Sequence, residues 1–200
     1  MCLFFYSNFQ KKCNWALSSP LEEHYHDSEW GVPIHDDRLF FELLVLEGAQ
    51  AGLSWSTILK KREAYREAFD NFEVSVIAGY DDIKMNKLIS NSSIVRNKLK
   101  LNSVVTNARA FLTIQETFGS FDKYIWSFVN GRTLHNAQEK AADIPASTHL
   151  SELISQDLKK RGFTFVGGII CYAFMQATGL INDHTVDCFR YADIKKTCVD

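Results

Sequence analysis

"LKLNSVVTNARAFL", residues 99–112, decides the fold. Leu101, Val104, Val105, Ala108, Phe111 and Leu112 recur at steps of three and four, which a helix of about 3.6 residues per turn gathers into one stripe. A strand would scatter them over two faces. Working outward, the same period runs through "DRLFFELLVLE" (37–47), "TILKKREAYREAF" (57–69) and "GGIICYAFMQA" (167–177). Alternation of strand type never persists beyond a few residues, and no two-residue turn joins β-branched runs, so the pattern predicts an all-α helical bundle.

The three prolines, at 20, 33 and 145, fall where helical periodicity lapses and mark loops. "NGRTLHNAQEKAADIPAS" (130–147) is the longest weakly periodic stretch, placed to separate a central bundle from a C-terminal helical pair. With 200 residues, 46% of them hydrophobic, the chain can bury a sizeable core in one domain or two small lobes. No apolar run reaches membrane-spanning length. The opening "MCLFFYSNFQKKC" has an apolar patch without a basic start or a sustained hydrophobic segment, so a cytoplasmic location is expected.

Five scattered cysteines (Cys2, Cys13, Cys171, Cys188, Cys198) favour free thiols or metal ligands over a disulfide framework. A net charge of -2 supplies no global pull toward nucleic acid. Three local basic clusters, Lys60-Lys61-Arg62, Arg96-Lys98-Lys100 and Lys159-Lys160-Arg161, read either as solvated helix faces or as phosphate contacts.

"NDHTVDC" (182–188) spaces His184 and Cys188 four apart, which on a helix would put both on one face and within reach of one metal ion. Cys13, followed by His24, His26 and His35, offers partners for a Cys2His2 shell. The spacing matches no zinc finger, because one pair lies near each terminus. From spacing alone, His184 reads equally as an ordinary helix-end histidine and Cys188 as a buried thiol.

Taken together, "CNW" (13–15), "YHDSEWGVP" (25–33), "LEGAQAGLSWSTILKKREAYREAF" (46–69), "NARA" (107–110), "WSFVN" (126–130), "LKKRGFTFVGGIICYAFMQATGLINDH" (158–184) and Cys188 resemble the 3-methyladenine DNA glycosylase I family. The resemblance runs in order from Cys13 to Cys188. It implies a bacterial, cytoplasmic, monomeric and monofunctional DNA glycosylase of the helix-hairpin-helix class, acting on double-stranded DNA and releasing free 3-methyladenine to leave an abasic site. It also implies a single glycosylase domain over 13–191, with two helical lobes around a base pocket. Residues 1–12 would form an N-terminal extension and 192–200 a C-terminal tail.

The implied ligands of one structural zinc ion are Cys13, His26, His184 and Cys188, a closed shell that would fasten the chain ends. Among the aromatic residues, the resemblance makes Trp55 the stacking face, Tyr25 a hydrogen-bonding partner, and Trp15 and Trp30 walls of the base pocket. Glu47 is the implied catalytic carboxylate: an ionised acid accepts from the exocyclic amine of adenine and repels the carbonyl of guanine. Glycines 48 and 52 would let the chain bend between Glu47 and Trp55.

For DNA, Leu53 resembles the apolar plug that fills the gap left by a flipped nucleotide. "RGFTFVGG" (161–168) resembles the hairpin whose backbone N–H groups near Gly162, Gly167 and Gly168 meet phosphates. Two departures stand out. Phe165 occupies the first glycine position of the hairpin, and Ser93 stands where the family carries a glycine. Asp183 is expected to cap the helix bearing the zinc ligands, and no lysine occupies a nucleophile position. Two other readings compete: a zinc-stapled nucleic-acid or nucleobase-binding module without catalysis, and a hydrolase with a catalytic metal, which would require an open coordination position.

Overall fold

In the computed structural model, which describes residues 10–197, ten α-helices account for most of the chain. They are α1 (Pro20–Ser28), α2 (Asp37–Gln50), α3 (Trp55–Ala68), α4 (Val74–Ala78), α5 (Asp82–Ser90), α6 (Lys98–Phe118), α7 (Phe121–Ser127), α8 (His149–Lys160), α9 (Gly168–Ala177) and α10 (Phe189–Thr197). One parallel bridge, β1 (Leu134–His135) with β2 (Ile181–Asn182), is the sole sheet among the described residues. Cys2 and Cys198 lie outside them.

Helix α6 carries the stripe read from the sequence. Leu101, Val104, Val105, Ala108 and Phe111 are buried, and Leu112 is half-buried. Asn97 starts this helix by accepting from the N–H groups of Leu99 and Lys100, and Gly119, at φ 85°, ends it in the left-handed conformation. Helix α2 is the central element, buried from Phe40 to Ala49 and packed against α3, α6, α7 and α9. Its Phe40 and Phe41 join Phe111, Phe121 and Phe174 in one aromatic core, where Phe111 and Phe121 stack at 4.2 Å between centroids. Glu42 on α2 is fully buried and bound by Arg62 Nε (2.6 Å) and Arg66 Nη2 (2.7 Å) of α3. This corrects one reading of the Lys60-Lys61-Arg62 cluster: Arg62 points inward because the carboxylate of Glu42 needs a cation once it leaves water.

The chain ends are folded together. The carbonyl of Lys11 accepts from Phe189 N–H at 2.9 Å, and Lys12 pairs with Glu23 and Asp27. Helix α10 crosses the 191/192 boundary expected from the sequence, and its Ile194 is buried. So residues 192–197 continue a packed helix and do not form a tail.

Candidate functional site: an aromatic cavity beside a Cys/His cluster

Glu47 sits in the last turn of α2, and Trp55 opens α3. The chain reverses between them at residues 51–54. Gly52 takes φ 80°, Leu53 N–H donates to Gln50 O at 2.6 Å, and Ser54 accepts from Thr57 N–H to start α3. The bend expected at both glycines is made at Gly52 alone, since Gly48 stays helical. The corner brings Glu47 and Trp55 to one cavity of about 390 Å³, which Trp15, Tyr25 and Trp30 also line. Tyr25 and Trp55 lie 5.3 Å apart between ring centroids, and Trp15 meets Trp30 edge-on at 5.0 Å. All five residues assigned to a base pocket therefore converge.

The electrostatics of this cavity differ from a solvated cleft. Glu47 is 5% exposed, and burial pushes its carboxyl up to about 8 from an ordinary value of 4.5. Burial also raises the Tyr25 hydroxyl, with the nearby Glu47 adding to the effect. Tyr25 Oη and Trp55 Nε1 are buried without a hydrogen-bond partner in the protein. Such orphaned groups cost roughly 1–3 kcal/mol each unless something in the cavity satisfies them. The site can thus offer two unpaired polar groups and a carboxyl to a flat ligand held between aromatic walls.

Sequence reasoning missed Glu22, Gln50, Ala141, Ile144, Ala173 and Gln176, which complete the lining. Gln50 follows Glu47 by three residues on the same helix face, a spacing that could have found it. Gln176 had no local signal; its Nε2 donates to Asp183 Oδ2 at 2.8 Å.

Behind the aromatic wall, Cys13, His26, His184 and Cys188 place their ligand atoms within 4.8 Å of one another, all four residues buried. Cys188 Sγ lies 3.4 Å from His26 Nε2 and 3.6 Å from His184 Nδ1, and Cys13 Sγ lies 3.6 Å from His184 Nδ1. The outward nitrogens are tied as well: His26 Nδ1 to Asp27 Oδ1 (2.8 Å) and His184 Nε2 to Trp30 O (3.0 Å). Two thiols and two oriented imidazoles, each with an anchored rear nitrogen, make a donor set that fits a four-coordinate metal ion. Gly31 is required alongside, because at φ 80° a Cβ there would come within 3.1 Å of His184 Nε2. His24 and His35 take no part; His35 Nδ1 instead lies 2.7 Å from Asp122 Oδ1.

Two expectations near this cluster are corrected. His184 and Cys188 do not share a helix, since α10 begins only at Phe189 and a turn spans them. Asp183 does not cap that helix. It is buried and accepts from Tyr172 Oη (2.6 Å), Gln176 Nε2 (2.8 Å) and Asn136 Nδ2 (2.7 Å), which satisfies a carboxylate in place.

Helices α8 and α9, joined by the turn 161–167, pack together, and α9 packs on α2. Gly162 takes φ 94°, Gly167 precedes α9, and Gly168 begins it. At Gly168 an added Cβ would fall 1.9 Å from Glu152 Oε1, so the exposed end of the Glu152 side chain would have to swing aside. Phe165, the residue in place of the first glycine, adopts the left-handed conformation at φ 54°, which costs an L residue about 1–2 kcal/mol. Leu53 is 42% exposed at the tip of the α2–α3 corner. Lys159 and Lys160 are exposed at the end of α8, whereas Arg161 is held by Asp157 at 2.6 Å. Ser93 lies in the loop before α6, where its N–H donates to Asn91 Oδ1.

Comparison with known proteins places these features in context. The family model described as methyladenine glycosylase matches residues 15–191. Over 181 residues, covering 90% of this chain and 97% of the relative, the sequence is 44% identical to DNA-3-methyladenine glycosylase 1 of Escherichia coli (strain K12). A crystal structure of 3-methyladenine DNA glycosylase I superposes with a TM-score of 0.87 at 46% identity, covering 90% of this chain and 98% of the other. A tyrosine-to-phenylalanine variant of 3-methyladenine DNA glycosylase I in complex with 3-methyladenine superposes with a TM-score of 0.86 at 38% identity, covering 89% and 96%.

Proposed function

Because the chain belongs to the methyladenine glycosylase family, we propose that it is a base-excision repair glycosylase. It hydrolyses the N-glycosidic bond of 3-methyladenine in alkylated DNA, freeing the base and leaving an abasic site. The observation that carries this is the single cavity shared by Glu47, Trp55 and Tyr25, with two orphaned polar groups among its walls.

Methylation makes the adenine ring cationic, so the base departs neutral and the glycosidic bond is weak before any acid acts on it. The work of the site is recognition. The nucleotide leaves the duplex and enters the cavity, where a cationic ring on an indole gains about 0.5–2 kcal/mol from the ring quadrupole. Trp55 provides that face, while Trp15 and Trp30 form the walls. Tyr25 Oη and Trp55 Nε1 donate to ring nitrogens, and Glu47 accepts from the exocyclic amine. A cation in the cavity draws Glu47 toward its ionised form, which guanine's carbonyl oxygen would oppose. As the glycosidic pair leaves with the base, water adds to the sugar carbon and loses a proton.

Cys13, His26, His184 and Cys188 would hold one zinc ion, which, filling a closed shell, supplies structural cross-linking and no activated water. Trp30 carries the effect to the cavity, because its carbonyl accepts from His184 and its ring meets that imidazole at 4.6 Å. On the DNA side, α8, the turn and α9 act as a helix-hairpin-helix unit whose backbone at Gly162, Gly167 and Gly168 meets phosphates, and Leu53 fills the gap left by the extruded base. The working domain begins at Cys13 and runs through α10, acting as a monomer in the cytoplasm; none of the described helices is long and apolar enough to cross a membrane. The test is to incubate the protein with methylated duplex DNA and separate the released bases by chromatography. Free 3-methyladenine with matching abasic sites is the expected result. Retention of 3-methyladenine in the DNA, with duplex binding intact, would leave a binding module and overturn the proposal.

A further inference from the structure

Asn107, the first residue of "NARA", lies on α6 away from the base cavity, yet it is 4% exposed and fully engaged. Its Nδ2 donates to Thr164 O at 3.0 Å and its Oδ1 accepts from Thr164 N–H at 2.8 Å. One side chain from outside the α8–α9 unit thus satisfies both backbone polar groups of the residue before Phe165. On the other side, Ser155 Oγ donates to Val166 O at 2.6 Å. Phe165, held between these two anchors, is the residue in the left-handed region at φ 54°, a conformation that L side chains resist. Its Cβ and carbonyl oxygen lie 3.6 Å from where a Gly48 Cβ would stand, one residue from Glu47. A disfavoured conformation persists only where its surroundings over-determine it.

We propose that Asn107 is a positioning residue: it holds the 161–167 turn in the strained shape in which its backbone can receive DNA phosphates. The proposal rests on reading that turn as a DNA-backbone contact. It assigns α6 a part in duplex binding without any contact of its own to the base.

The experiment uses the full chain as wild type, Asn107→Ala, Asn107→Ala with Phe165→Gly, and Gly162→Val. Affinity is measured for a fluorescent duplex bearing a stable abasic analogue and, separately, for free 3-methyladenine, beside kcat and KM on methylated DNA and thermal melts. Asn107→Ala should weaken duplex binding about tenfold, equivalent to about 1.4 kcal/mol. It should raise KM similarly, with kcat and free-base affinity held within about twofold. Adding Phe165→Gly should recover several-fold of the loss, because glycine enters the left-handed region freely. Loss of stability alone would produce neither the split nor the recovery. Wild-type duplex affinity in Asn107→Ala, a parallel fall in free-base affinity, or no recovery in the double variant would overturn the proposal. Gly162→Val separates the two layers: if it binds duplex like wild type, the turn is not the contact and the premise fails. If it binds weakly while Asn107→Ala binds normally, only the role of Asn107 fails.

Discussion

A glutamate near the end of a long helix would ordinarily be solvated, but Glu47 is buried in a cavity, and that burial pushes its carboxyl up to about 8. That shift has a sign for stability. Below the unfolded value of 4.5 the group is protonated in both states and costs nothing. As pH rises toward about 8, the unfolded chain releases the proton first, so folding stability falls through that window. Glu47→Gln keeps the shape and removes the ionisation. Its melting temperature should match wild type near pH 5 and exceed it by on the order of 5 °C at pH 9; an equal difference at both pH values would show that Glu47 is not held neutral by burial. On the proposed function, stability is given up here because a carboxyl that ionises on meeting a cation would read the alkylated ring. That Glu47 and Trp55 would face one cavity was readable from the motif, but the burial of Glu47 was not, because burial depends on helices distant in sequence closing over α2.

At the level of elements, helical periodicity alone identified α2, α3, α6 and α9, although α2 is buried on all sides from Phe40 to Ala49. What periodicity could not show is how the corners are fastened. Lys100, read as a member of a basic cluster, turns inward: its Nζ donates to Ala49 O (2.8 Å) and Ala51 O (2.6 Å), capping the end of α2 where orphan carbonyls and the helix dipole favour a cation. Burial lowers the Lys100 value accordingly. This fastens the corner that carries both Leu53 and Trp55. Lys100→Met should lower the melting temperature by on the order of 5 °C and reduce base release more than free-base binding; a variant with unchanged melting would place Lys100 in solvent after all. Likewise the turn at 161–167 was visible as a glycine-rich break, but the left-handed Phe165 was not, because nothing in its own neighbourhood announces the bonds that Asn107 makes from α6.

For the whole molecule, the cluster of Cys13, His26, His184 and Cys188 joins the entry to the first helix with the turn before the last one. Sequence spacing left this open, and a shared helix face for His184 and Cys188 was the wrong geometry; the four residues meet because α1 and the segment after β2 pack side by side. The rings of Trp15 and Trp30 lie on His26 and His184, so the clamp and the cavity wall are one body. Metal analysis should find about one zinc per chain. Stripping it with a chelator, or Cys188→Ser, should lower the melting temperature by on the order of 10 °C and shift tryptophan emission as the wall loosens. Unchanged melting and emission after complete removal would separate the clamp from the pocket. If zinc is exchanged for cobalt, turnover should persist, because a filled shell takes no part in the chemistry.

The most direct test of the pocket is the single-turnover rate at which wild type and Glu47→Gln release 3-methyladenine from the same methylated duplex at saturating protein. Replacing the ionisable acceptor should slow release about 10- to 100-fold, the worth of one hydrogen bond to a charged group, while duplex affinity stays near wild type. Equal rates for the two proteins would contradict the assignment of Glu47 and Trp55 to a shared recognition site.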